Sequence, residues 1–211
     1  MSLRNELFAA LQSDSPDHEI PMPDIPWPDY YDRLVQETKK AIEQFAHEHP
    51  NETVSYFAYY AQPASGRVSL FFDTPENSLQ SVKAAEKRWS ESVRGRRLES
   101  PVFHAGAYTT MVRNSALPFS TDTSRFKFRG YAHIDFPDWE EITEREDYPE
   151  PPEVPGQTDY LSGWAAKFMW CAIHELAEDG TFEKLDLASP TMLGFDIDEG
   201  SQIIVRLMNL G

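Results

Sequence analysis

Ten of the 16 prolines in this 211-residue chain fall in two short stretches, residues 16–28 (PDHEIPMPDIPWP) and residues 137–155, the second containing PEPPEVP. Proline removes a backbone donor and fixes φ, so neither stretch can be a regular helix or a central strand. Both read as extended connectors, and whatever regular structure the chain forms must come from the segments around them. Those segments look complementary, each with one apolar face, and no repeat of fixed period appears. The chain therefore divides into an N-terminal arm and Pro-rich connector at residues 1–28 and a single α+β domain at residues 29–211, with a mainly antiparallel sheet built from hairpins and packed against amphipathic helices.

The periodicities support that division. Leu3, Leu7 and Leu11 recur at four-residue spacing beside Phe8, which predicts a short amphipathic arm that must dock on something to be stable. Tyr31, Leu34, Val35, Thr38, Ala41, Ile42 and Phe45 form a helical stripe that opens near Pro28 and stops at Pro50. Residues 53–61 (TVSYFAYYA) and 67–73 (RVSLFFD), joined by QPASG, predict a hairpin. Thr74, Pro75 and Glu76 supply a hydroxyl cap, a first-turn proline and an acid at the positive end of a helix dipole; Leu79, Val82, Ala85, Trp89 and Val93 mark that helix's inner face. Residues 126–136 (FKFRGYAHIDF) alternate. Phe126, Phe128, Ala132, Ile134 and Phe136 are expected on one side, and Lys127, Arg129, Tyr131, His133 and Asp135 on the other. A further helix opens after Thr158 or Asp159, turns Leu161, Trp164, Ala165, Phe168, Ala172, Ile173 and Leu176 inward, and closes at Gly180. A second hairpin ends the chain, around residues 198–201.

Charge narrows the function classes. With 19 Lys and Arg against 35 Asp and Glu the formal charge is −16, a field that opposes phosphate backbones and anionic lipid. Neither nucleic acid nor a membrane is an expected partner, and no apolar run is long enough to span a bilayer. The charge is uneven: residues 135–159 hold ten acids and one base, Arg145, whereas residues 83–97 hold six bases and two acids. The first 16 residues lack an apolar leader core, and the lone Cys171 fits a reducing compartment, so a cytoplasmic location is expected.

Catalytic signatures are missing. The six histidines do not form a ligand set: His47 and His49 stand two apart at a helix end, and His133 with Asp135 gives two strand neighbours where zinc needs three or four. Cys171, between Trp170 and Ala172 in a helix interior, reads as a buried thiol. No Gly-x-Ser-x-Gly elbow or glycine-rich phosphate loop is present, so no cofactor and no metal are expected. The polar cluster on the best strand, Arg129, Tyr131 and His133 with Lys127, is the place to look for a ligand.

The string YFAYYAQPASGRVSLFFDTPENSL at residues 56–79 resembles the central signature of an uncharacterised bacterial family, domain-of-unknown-function family 4303. His49-Pro50 at the helix end, Trp139-Glu140-Glu141 and the amphipathic helix from Tyr160 are similar in order, so the resemblance covers roughly residues 29–182. It implies a bacterial source and a fold, and no activity or catalytic residue, so none is carried over; the Pro-rich N-terminal extension departs from the family's pattern. By analogy alone, small acidic proteins of this sort occur near toxin systems, where immunity proteins meet basic toxins by charge complementarity.

The leading expectation is therefore a cytoplasmic protein-binding module, immunity-like in form, in which Glu140, Glu141, Glu144 and Glu146 face a basic protein. The alternative, from a different class, is a small-molecule-binding domain or enzyme with a site near Arg129, Tyr131 and His133 on the polar face of strand 126–136. A third reading gives the Leu3–Leu11 arm to self-association.

Overall fold

A computed structural model describes residues 27–95, 120, 122–139, 160–197 and 203–208. The expected arm at residues 2–12 and most of the first connector lie outside them. Helix α1 (Trp27–Glu48) carries the predicted stripe inward: Tyr31, Leu34, Val35, Thr38, Ala41, Ile42 and Phe45 are all buried. Strands β1 (Thr53–Gln62) and β2 (Arg67–Asp73) form the predicted hairpin through a 3-10 turn, Pro63–Ser65, closed by Gly66. Helix α2 (Pro75–Gly95) follows, then a 3-10 turn at Thr123–Arg125 and strand β3 (Phe128–Asp135). Helix α3 (Tyr160–Glu178), strand β4 (Asp186–Ile197) and strand β5 (Ile203–Met208) complete a single α+β domain. No helix among the described residues is long and apolar enough to cross a membrane.

The sheet has the order β3-β2-β1-β4-β5, and every neighbouring pair is antiparallel except the central one, β1 with β4. That parallel pair was not foreseen. A parallel neighbour needs a crossover, and here it is made by α3. The long acidic, proline-rich stretch between β3 and α3 hides the strand–helix–strand rhythm.

The two faces of the sheet differ. One packs against α1 and α3, where Phe57 meets Tyr59, Phe72 and Phe182 at ring separations of 5.0, 5.3 and 5.1 Å. Polar groups buried there are paired: the Tyr59 hydroxyl donates to Thr38 at 2.9 Å, Thr38 donates to the Leu34 carbonyl at 2.7 Å, and Tyr31 donates to Glu175 at 2.8 Å. Burial and the Glu175 carboxylate both push the Tyr31 phenol upward, so it stays a donor at any physiological pH. The opposite face holds a smaller apolar group, Tyr56, Ala58, Phe126 and Met192.

Two expected faces are corrected. In α2, Leu79 is 46% exposed while its neighbour Ser78 is fully buried, so the helix is turned from the predicted stripe. Ser78 Oγ accepts the backbone N–H of Ser120, and the Thr74 hydroxyl caps Asn77 at 3.3 Å; the helix start is fixed by polar bonds rather than by its leucine. Phe126 and Phe128 do not point the same way. Phe126 belongs to the turn before β3 and packs on Tyr56 at 4.9 Å, whereas Phe128 packs on Phe45 at 4.9 Å across the sheet.

Candidate functional site

The polar cluster predicted on strand 126–136 is reorganised by a bulge. Leu70 of β2 faces Ala132 of β3, but Phe72 faces Phe128, so the ladder on β3 contains extra residues around Gly130, whose φ of +58° is left-handed. A strand alternates faces only while its ladder is continuous. Tyr131 is consequently turned to the helix side, with its ring 5.1 Å from Phe45 and 5.5 Å from Phe72, and its hydroxyl donates to Glu48 at 2.7 Å. That bond holds the Glu48 carboxyl below its usual range. The expectation that Tyr131 shares a face with Arg129 and His133 is therefore overturned.

Arg129 and His133 remain on the other side, each held by a different neighbour. His133 lies opposite Ser69 of β2, and its Nδ1 is 2.9 Å from the Ser69 hydroxyl. The imidazole rests on Gly130: a Cβ there would lie 2.9 Å from its Cε1. Arg129 donates through Nη1 to the Ser124 carbonyl. One rung further out, Arg67 and Asp135 form an ion pair at 2.7 Å, and Lys127 pairs with Glu52 at 2.6 Å. The strand register also sets Asp196, Tyr60, Ser69 and His133 in one rung across β4, β1, β2 and β3.

Two carboxylates that sequence reasoning passed over hold the strap of residues 122–127 across this face. Asp196 accepts from the Thr123 hydroxyl at 2.8 Å. Asp73 accepts from Asn77 Nδ2 at 2.6 Å and from the Lys127 backbone N–H at 3.1 Å, and Asn77 Nδ2 also reaches the Arg125 carbonyl at 2.7 Å. An acid at the end of an apolar strand, just before a Thr-Pro helix start, is the signal that could have marked Asp73. Burial raises its carboxyl pKa, and the bonds from Asn77, Lys127, Thr74 and Ser78 offset only part of that.

The sign of the consequence follows from linkage. The folded chain holds the Asp73 proton more tightly than the unfolded chain, so stability is highest below the ordinary carboxylate pKa and declines as pH rises through the raised folded value. In Asp73→Asn the same oxygen still accepts from Asn77 and Lys127, and this decline should vanish. Urea midpoints from pH 4 to pH 7 measure it; parallel pH profiles for the two chains would refute the assignment.

Glu140, Glu141, Glu144 and Glu146 lie outside the described residues. The structure does show how the chain approaches them. The Phe136 N–H donates to the Gly66 carbonyl at 2.6 Å and the Trp139 N–H to the Phe136 carbonyl at 3.0 Å. The Phe136 and Trp139 rings stack at 4.7 Å, Tyr30 of α1 meets both edge-on, and its hydroxyl donates to Asp138 at 3.0 Å. Trp139 is buried, so the acidic run leaves a fixed corner of the domain.

Other sequence candidates find structural roles. His49 packs on Phe45 and Phe128 at 4.8 and 4.6 Å, and Cys171 is buried. Among the described residues no three His, Cys, Asp or Glu side chains are grouped as a metal site would require. No protein-family model matches the chain, and neither a curated protein nor a solved structure matches it.

Proposed function

We propose that this chain is a bacterial cytoplasmic binding module that meets a basic protein through the acidic run between Asp135 and Asp159. The observation that carries the reading is the charge itself: ten acids and one base in 25 residues of a chain whose total is −16. Such a surface accelerates encounter with a cationic partner and disfavours other anionic macromolecules. The corner of Tyr30, Phe136 and Trp139 supports it further, because charges that begin from a packed anchor lose less freedom on binding than charges on a free tail. An immunity-like role, in which the partner is a basic toxin, is the form that analogy with small acidic proteins suggests.

The test pairs capture with kinetics. Tagged protein from the source cells should retain a basic protein at low salt and shed it at moderate salt. Replacing Glu140, Glu141, Glu144 and Glu146 together by Gln should then slow association with that protein by about tenfold or more at low salt, with little change in thermal midpoint. Equal association rates for the two chains, or no basic protein retained, would refute the reading.

A further inference from the structure

Arg129 and His133 are the two members of the expected polar cluster that stay on one side of β3, and the His133 ring lies against Gly130, the chain neighbour of Arg129. Each is already positioned. The Ser124 carbonyl takes one guanidinium N–H of Arg129, which leaves four of the five donors that an arginine carries. The Ser69 hydroxyl and the bare Cα of Gly130 fix the His133 ring. Ser69 is only 4% exposed, whereas Arg129 and His133 are both exposed. In the tautomer in which the Ser69 hydroxyl donates to Nδ1, the ring proton sits on Nε2 and that nitrogen is a donor.

The neighbouring cations differ in one respect. Arg67 is bound to Asp135, Arg125 to Asp122 and Lys127 to Glu52, while Arg129 has no carboxylate partner among the described residues. In a chain of net charge −16, an arginine without a carboxylate partner among the described residues, on the same side of the strand as a held imidazole, is a local exception to the prevailing field.

We propose that Arg129 and His133 form a binding site for a small oxyanion, a phosphate or carboxylate group, with Ser69 and Gly130 positioning the imidazole. Guanidinium and imidazole N–H groups converging on one oxyanion give charge-assisted hydrogen bonds, the strongest kind available at an exposed site. Tyr131, turned to the helix side, takes no part. The proposal does not depend on the protein-binding reading.

Histidine ring proton signals of the full-length protein provide the readout, with His133 identified among the six histidines by His133→Gln. Inorganic phosphate and acetate are titrated separately at fixed pH, with sodium chloride matching ionic strength. A saturable shift of the His133 signal is expected with at least one of the two anions, and the choice between them assigns a tetrahedral or planar ligand. Arg129→Gln should weaken the midpoint about tenfold or more, while Lys40→Gln and the fourfold glutamate variant should titrate like the parent. Ser69→Ala should broaden or shift the His133 signal before any anion is added, which a bystander serine would not do. The proposal fails if neither anion moves His133 beyond the chloride control, or if Arg129→Gln, folded by its thermal midpoint, leaves the titration unchanged.

Discussion

Gly66→Ala is expected to destabilise the domain by about 3 kcal/mol or more, a cost well beyond ordinary glycine replacement. Gly66 has φ +59° and closes the 3-10 turn between β1 and β2. The left-handed backbone alone accounts for about 1 kcal/mol. The larger part is steric, because a Cβ would stand 2.2 Å from the Phe136 carbonyl oxygen and 3.1 Å from Trp139 Cβ. Those atoms cannot simply move aside, since the Phe136 N–H is bonded to the Gly66 carbonyl at 2.6 Å. Gly180→Ala is the control. Its φ is +77°, yet a Cβ there would first meet the tip of the Glu183 side chain at 3.3 Å, which can rotate away. Only the backbone strain of about 1 kcal/mol is expected for it. Urea unfolding of both variants decides the matter; equal losses would mean that the corner tolerates displacement.

The same corner shows what the sequence could and could not disclose. Periodicity located α1, the β1–β2 hairpin and the helix from Tyr160 because each has an uninterrupted ladder or stripe that burial must respect. It failed where a local device breaks the period. Gly130 is one residue in an otherwise regular alternation, and as an isolated strand glycine it is the only mark of a bulge in FRGYAHID, yet the slip there moves Tyr131 across the sheet. Ser78 and Leu79 were exchanged for a similar reason: hydrophobicity ranks Leu79 as the inward residue, but the bonds made by Thr74, Asn77 and Ser78 set the rotation of α2. The parallel pairing of β1 with β4 depends on contacts between segments more than 120 residues apart, which no window on the sequence contains.

The candidate residues divide on the same line. His133 was legible as an outward strand residue, but its partner Ser69 became visible only through the register of β2 against β3. Asp73 and Asp196 looked like two more acids among 35, and only burial separates them from the rest. Abundance thus concealed the acids that hold the strap while drawing attention to those of residues 135–159. A charge run can be read from sequence because electrostatic steering depends mainly on total charge and its sign. A buried carboxylate cannot, because its role depends on which donors reach it.

Trp139 links the packed corner to the charged run, and its replacement should separate two contributions. Trp139→Ala removes a buried ring stacked on Phe136 and met edge-on by Tyr30, for an expected loss of about 3–5 kcal/mol. Trp139→Phe keeps most of the ring contact. It also removes a buried indole N–H that has no hydrogen-bond partner among the described residues, so it breaks no bond and should cost only about 1–2 kcal/mol. Both chains retain every acid of residues 135–159. On the proposed function, association with the basic partner should therefore proceed at nearly the parent rate in Trp139→Phe, because steering follows charge, while dissociation should quicken as the anchor loosens. The fourfold glutamine variant should show the reverse, slow association with an intact fold. If Trp139→Phe instead slows association as much as the glutamine variant does, charge is not what guides the encounter, and the acidic run would have to act through a shape that the tryptophan maintains.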